Sequence, residues 1–239
     1  MAFVRAVLEH SSANPFLEDF AQFHEPIDRV GRLNSLSQCV LKMTSPGVPD
    51  IYQGTELFDF SLVDPDNRRP IDYARRFQML AELQRDAEPP PNSPCPAPIS
   101  MTDAQDDKLK LQVTWKTLAL RRKESSLFQQ GSYISLRVNG EKSAHVVALA
   151  RRYGGRIAVV AVPRLCATLL SGGTGTVCGS SVWGETNFDV PQSRAECYHN
   201  IFTGECLSIK DRGKKPFLKL ADVFRFCPVA ILLGEEKAS

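Results

Sequence analysis

Two short runs hold the residues best suited to chemistry. The first is Pro49-Asp50-Ile51-Tyr52-Gln53-Gly54-Thr55-Glu56, and the second is Asp64-Pro65-Asp66-Asn67-Arg68-Arg69-Pro70. Carboxylates beside arginines suit recognition of a polyhydroxyl compound, because both hydrogen-bond neighbouring hydroxyls in directed, often bidentate fashion. Tyr52 offers a flat face on which a ring can stack. The same residues also make an ordinary salt-bridged turn: Asp-Pro-Asp-Asn is common turn chemistry, and Arg68 and Arg69 can pin such a loop. Composition leaves both readings open. Phosphate binding fits less well. The Gly-rich strand-to-helix loop is missing, and Gly172-Gly173-Thr174-Gly175 lacks a following Lys-Ser or Lys-Thr. Cleaving a glycosidic bond needs two carboxylates at a set separation. No stretch announces a nucleophile or a general acid, so Glu56, Asp59, Asp64 and Asp66 qualify by proximity alone.

Seven cysteines stand at 39, 95, 166, 178, 197, 206 and 227, and four histidines at 10, 24, 145 and 199. The cysteine count is odd and no pair has C-x-x-C spacing, which argues against a disulfide framework and against a zinc site. The thiols read as reduced and mostly buried in a cytoplasmic protein, with no metal and no cofactor expected. Trp115 and Trp183 read as core or interdomain contacts rather than sugar platforms. Arg121-Arg122-Lys123 and Arg151-Arg152 read as solvated ends of a helix and a strand.

The elements that must position these residues change character near residue 125. Before it the pattern is helical. Asn14-Pro15 is a cap followed by proline at the first helical position. Phe16, Phe20, Phe23, Ile27 and Val30 then recur at helical spacing as a buried stripe. Pro26 predicts a break or kink near Glu25, and Gly31 an end. Leu33, Leu36, Val40 and Met43 make a second stripe. Val48 to Tyr52 reads as a buried strand, alone among helices, and a lone strand cannot satisfy its own backbone groups. Residues 72 to 87 are helical with Phe77, Leu80 and Leu83 on one side. A proline-rich loop at 89–98 follows. Another helix is capped at Asp106 or Asp107 and carries Leu111, Trp115 and Leu118. After 125 the chain is strand-like: Tyr133 to Val138, then His145 to Ala150 and Arg156 to Val162 joined by Tyr153-Gly154-Gly155 as a hairpin, then Phe188 to Val190, Tyr198 to Phe202 and Val229 to Leu233. A Gly/Ser/Thr-rich loop spans 171 to 181. The expected organisation is two parts, 1–125 and 126–239, the second all-β and sandwich-like.

The 239 residues include 43% apolar and 23% charged residues, ordinary for a globular protein, and the net charge of +2 calls for no nucleic-acid or membrane partner. Neither a secretory leader nor a membrane-spanning run is read from the sequence.

Leu33-Asn34-Ser35-Leu36, the run Leu41-Lys42-Met43-Thr44-Ser45-Pro46-Gly47-Val48 into Pro49 to Glu56, and Asp64 to Pro70 together closely resemble the maltooligosyl trehalose synthase family of the α-amylase superfamily. Leu118 to Arg122, Leu127-Phe128, His145 to Ala148, Val162 to Leu165 and Pro228 to Leu233 resemble later segments of that family. The resemblance implies α/β plus all-β architecture: C-terminal segments of a (β/α)8 barrel, then a β-sandwich-like C-terminal domain. It implies conversion of the reducing-end α-1,4 bond of a maltooligosaccharide into an α,α-1,1 bond, with no cofactor. The family's nucleophilic Asp, acid/base Glu and third Asp lie on earlier strands, and no Arg-x-Asp signature on an apolar strand matches here. No catalytic residue is therefore assigned in this chain, and the isolated chain is expected to be inactive. Tyr52, Gln53, Glu56, Asp64, Asp66, Arg68 and Arg69 are expected to line or brace saccharide subsites. Two alternatives stay open: a glucan-binding module without turnover, and part of another α-amylase-type hydrolase.

Overall fold

The computed structural model describes residues 1–9, 14–61, 68–86, 103–170, 176–192, 195, 197–211 and 215–235. The proline-rich 89–98 loop, Asp64, Asp66 and residues 171–175 lie outside them. Helix α1 (Ala2–Val7) is followed by α2 (Pro15–Thr44). The side chain of Asn14 caps α2 by accepting from the Phe16 N–H at 3.2 Å. Pro15 stands at the first turn, as its fixed φ favours.

Helix α2 runs through both Pro26 and Gly31 as one helix of 30 residues, which removes the break at the first, though not the alternative of a kink, and the end at the second. A proline there removes one backbone bond, to Gln22, and that stretch is exposed, so the freed carbonyl can turn to water. Glu25–Arg29 and Asp28–Arg32 pairs at 3.1 and 2.8 Å bridge the junction at i,i+4 spacing. Most of the first stripe is not buried: Phe16, Phe20, Phe23 and Ile27 all face solvent, Phe23 at 65% exposure, whereas Val30 is half-buried against Leu33, Cys166 and Val177. The second stripe is buried as its spacing demands, with Leu33, Leu36, Val40 and Met43 at 2% exposure or less.

The expected strand at Val48 to Tyr52 does not form. Val48 is 95% exposed. Among the described residues of 1–125 no strand exists for it to pair with, and an unpaired strand has no ladder to hold it. Helix α3 (Tyr73–Asp86) buries Met79 and half-buries Leu80 and Leu83 against Leu57 and Leu111, whereas Phe77 is exposed. Helix α4 (Asp103–Lys123) starts before the expected cap, so Asp106 and Asp107 lie inside it. It has two working faces. Leu109, Val113 and Leu120 enter the main core; Leu111, Trp115 and Leu118 turn the other way.

Beyond α5 (Ser125–Gln129) the described residues form ten strands: β1 (Ser132–Ser135), β2 (Val138–Asn139), β3 (Val146–Tyr153), β4 (Arg156–Pro163), β5 (Asn187–Asp189), β6 (Cys197–Asn200), β7 (Cys206–Ser208), β8 (Lys210–Asp211), β9 (Pro216–Lys219) and β10 (Ala230–Glu235). Short helices α6 (Cys166–Leu169), α7 (Ser180–Trp183) and α8 (Leu220–Val223) interrupt them, so this half is not all-β. The β3–β4 hairpin is as the sequence predicts. Gly154 and Gly155 both take positive φ, and Tyr153 pairs with Arg156.

Among the described residues all pairings are antiparallel, in a six-stranded sheet ordered β1-β3-β4-β10-β6-β7 and a four-stranded sheet ordered β2-β5-β9-β8. One face of the larger sheet (Val146, Ala148, Ala150, Ile157, Val159, Ala161, Ala230, Leu232) shares a core with Phe188 and Leu218 of the smaller one. The other face (Leu149, Ala158, Val160, Val162, Ile231) packs on α2, α4 and α5. Burial on both faces is why β4 reads as an unbroken apolar run rather than an alternation.

Candidate functional site

The run that follows α2 is a turn-rich loop pinned from several sides. The C-terminus of α2 presents carbonyls that have no partner within the helix. Two arginines take the last two, those of Met43 and Thr44, and each also donates beyond the helix. Arg121 donates to the Met43 and Gly47 oxygens at 2.6 and 2.9 Å. Arg151 donates to the Thr44 oxygen at 3.0 Å and to the Phe128 and Gly131 oxygens at 2.8 and 2.9 Å. Arg151 is 1% exposed, so it is no solvated strand end, and Arg121 is no free helix end. Burial lowers the pKa of both guanidiniums, and their cationic form still suits a helix C-terminus.

Within the loop, Thr55 donates its hydroxyl and its N–H to the Tyr52 oxygen at 2.6 and 3.0 Å. Gly54 sits at φ +93°, and a Cβ there would lie 2.8 Å from Ile71 Cδ1. Beneath the turn, Arg76 from α3 pairs with Glu56 at 3.2 Å and donates to the Gly54 oxygen at 2.9 Å. Lys110 of α4 donates to the Leu57 oxygen at 2.8 Å, and its burial lowers its pKa. Asp107 accepts from the Phe58 N–H at 3.2 Å and from Arg75 at 2.7 Å. Arg32 lies over the stacked rings of Phe58 and Phe60 at 5.1 and 5.4 Å.

Residues of the loop line two clefts. One, of about 530 Å³, is lined by Ser35, Gln38, Lys42, Asp50, Tyr52, Thr55, Asp59 and Lys110, with the buried Cys39 at its floor. It is polar, with two carboxylates, two lysines and one half-exposed aromatic ring. Hydrogen bonds from Ser61 hold the Asp59 carboxyl below its ordinary value, so it is ionised at neutral pH. The other cleft, of about 720 Å³, is mainly apolar and holds Glu56, Leu80, Leu111, Trp115, Leu118, Arg122 and Lys123.

The residues expected to act together are therefore divided. Tyr52 lines the polar cleft and Glu56 the apolar one, where its carboxylate is spent on Arg76. Gln53, Arg68 and Arg69 are exposed and line neither cleft. Sequence reading missed Lys42, Gln38 and Lys110. The available signal was Lys110 itself, a charge set between the buried Leu109 and Leu111 on α4. Trp183 is core, tilted against Phe224 at 5.1 Å, while Trp115 borders the apolar cleft. Elsewhere, Cys197, His199 and Cys206 come together although their spacing matches no common ligand motif.

No protein-family model matches the chain. Over 118 residues, 49% of this chain, it is 38% identical to a Mycobacterium tuberculosis (strain CDC 1551 / Oshkosh) protein named as a maltooligosyl trehalose synthase, of which the matched segment is 12%. The solved maltooligosyltrehalose synthase of Arthrobacter ramosus matches with a TM-score of 0.70 and 29% identity, over 98% of this chain and 26% of that one. A maltogenic α-amylase of Thermotoga neapolitana shares the fold at a TM-score of 0.50 and 14% identity, over 87% of this chain and 38% of that one. The chain thus resembles a C-terminal portion of maltooligosyl trehalose synthases, and it spans about a quarter of the solved synthase's length. No helix among the described residues is long and apolar enough to cross a membrane.

Proposed function

We propose that this chain supplies the end of a (β/α)8 catalytic barrel (residues 1–125) and a following sandwich-like domain (126–239) of a maltooligosyl trehalose synthase. The observation that carries the reading is the polar cleft of Asp50, Tyr52, Asp59, Lys42 and Lys110, held open by the pinned 47–56 loop. Ionised carboxylates and ammonium groups around one aromatic ring hydrogen-bond sugar hydroxyls and stack a pyranose face. The substrate is a maltooligosaccharide whose reducing-end α-1,4 bond becomes α,α-1,1. In a retaining transfer a covalent glycosyl intermediate forms on a carboxylate, and the displaced glucose re-attacks while water is kept out. The nucleophile and acid/base lie on other barrel strands, so the side chains of this chain position the sugar. Tyr52 and Asp50 hold the reducing-end ring; Glu56 acts indirectly, by fixing Arg76 under the loop; Gln53, Arg68 and Arg69, which line neither cleft, and Asp64 and Asp66 are assigned a bracing role on the sequence resemblance alone.

The exposed Phe16, Phe20, Phe23 and Ile27 face supports this reading, since an aromatic stripe of that length on one helix is a surface that packs against further barrel segments. The test is a chimera in which this chain replaces the corresponding part of the Arthrobacter ramosus synthase, assayed on maltopentaose. The expected result is loss of reducing ends without glucose release, reduced by Tyr52→Ala. Glucose release alone would favour an α-amylase-type hydrolase. Turnover by the 239-residue chain without the rest of the barrel would overturn the division of labour. Binding of maltopentaose by the isolated chain, with a folded but inert chimera, would favour the glucan-binding module.

A further inference from the structure

The β6–β7 hairpin forms the outer edge of the six-stranded sheet. Its inward residues are Tyr198, Asn200 and Leu207, at 0, 1 and 9% exposure, and the buried Phe202 anchors its turn. Lys116 of α4 adds a bond to the Phe202 oxygen at 3.0 Å. Strand alternation then puts Cys197 and His199 on the opposite, outward face. The register pairs His199 directly with Cys206, and Cys197 stands diagonally across from it. Sγ of Cys197, a ring nitrogen of His199 and Sγ of Cys206 all lie within 4.8 Å of one another, with Cys197 Sγ 3.9 Å from His199 Nε2.

We propose that Cys197, His199 and Cys206 form a zinc-binding site on this exposed sheet edge. Two thiolates and an imidazole suit Zn²⁺ and not the oxygen-seeking Mg²⁺ or Ca²⁺. Around a tetrahedral zinc the ligand atoms stand about 3.6 to 3.8 Å apart. The observed spacing reaches that by side-chain rotation, because His199 and Cys206 are exposed and free to turn while the backbone beneath them is anchored. The fourth position opens to solvent, so water completes the sphere. The site is separate from the saccharide clefts, which none of the three residues lines. Its effect is to tie two strands at an edge where only a short ladder joins them.

The hydrogen bond between Cys197 and Cys206 raises the Cys206 thiol at an exposed position, whereas three other thiols are raised by burial. Burial pushes Cys166 and Cys178 up to about 11 and Cys227 up to about 12, which leaves them inert.

The test uses the full 239-residue chain, reduced and stripped of metal with a chelator. Zn²⁺ is titrated in competition with a chromophoric chelator, and Co²⁺ serves as the spectroscopic probe. The expected result is one zinc per chain and a tetrahedral cobalt spectrum with thiolate-to-metal charge transfer. Cys206→Ser and His199→Gln, checked for folding by circular dichroism, each weaken zinc by more than about 100-fold, since even indirect supporting residues are worth 10–100-fold. A cobalt spectrum without thiolate bands, equal zinc affinity in folded variants, or a Cys197–Cys206 disulfide that persists in the reduced preparation would each overturn the proposal.

Discussion

Replacing Arg151 with methionine isolates what holds the candidate site in place. The substitution keeps a long apolar stem for packing and removes the guanidinium. Three carbonyls lose their donor: Thr44 at the end of α2, Phe128 in α5 and Gly131 just beyond it. Leaving a buried acceptor unpaired costs about 1 kcal/mol or more, so the buried Thr44 and Phe128 oxygens and the part-buried Gly131 oxygen together set a loss of about 2–3 kcal/mol. The desolvation cost of the buried guanidinium is relieved at the same time, which keeps the loss from rising to the sum of three charge-assisted bonds. The damage is also directed. Thr44 is the last residue of the helix from which the 47–56 loop departs, so that loop opens before the sheet does. Urea unfolding followed by tryptophan fluorescence reads the global part as a midpoint lowered by about 1 M at unchanged slope. Hydrogen exchange reads the local part as faster exchange over residues 44–57. A stability change below about 0.5 kcal/mol, the size of an ordinary surface substitution, would refute the reasoning. So would a large global loss with unaltered exchange in the loop.

Four further outcomes follow from the geometry. Gly54→Ala forces a side chain into a positive-φ position and to 2.8 Å from Ile71 Cδ1, and it lowers stability by about 1–2 kcal/mol in urea unfolding; an unchanged midpoint would contradict the strained turn. Burial lowers the Lys110 pKa, so the unfolded chain holds that proton more tightly and the native state gains stability as pH rises through the folded value towards the ordinary lysine value. Lys110→Met removes that gain, and identical alkaline slopes in urea midpoints of the two proteins would show the burial cost to be absent. Iodoacetamide at pH 8 labels the exposed Cys206 in the folded, metal-stripped chain and spares Cys166, Cys178 and Cys227, whose burial raises their thiols to about 11, 11 and 12; mass spectrometry showing native labelling of Cys227 would contradict its burial. In a complete synthase, Arg68→Ala lowers turnover or raises the share of hydrolysis, and unchanged kinetics and product ratio would remove Arg68 from the subsites.

What sequence could tell and what it could not separate along the range of the interactions. The Asn14 cap, the Leu33/Leu36/Val40/Met43 stripe and the Gly154-Gly155 hairpin rest on neighbours a few residues away, and each appears where the spacing puts it. The Phe16 to Ile27 stripe has the same helical period, yet period says only which residues share a face and not whether anything covers it. Val48 to Tyr52 has strand-like residues, but a strand is made by a partner strand, and none is present among the described residues before 125. Arg151 misled for the complementary reason. A charge between apolar strand residues reads as a solvated end until the three carbonyls it serves, 20 to 107 residues away, are brought to it.

The same distinction governs the two sites. Tyr52 and its neighbours were visible because their chemistry is written consecutively, but the groups that give the cleft its shape, Lys110, Arg121 and Arg151, come from a helix and a strand far along the chain. Substitutions at those three residues therefore test the site more sharply than substitutions at exposed loop positions such as Gln53, which lines neither cleft. The Cys197, His199 and Cys206 cluster is the limiting case. Its C-x-H half follows strand period 2, and its third member depends entirely on hairpin register, since a slip of one residue would turn Cys206 to the core face and leave only two ligands. Zinc affinity is consequently a readout of that register: a variant that shifts the pairing of β6 with β7 abolishes the site without touching any of its ligands.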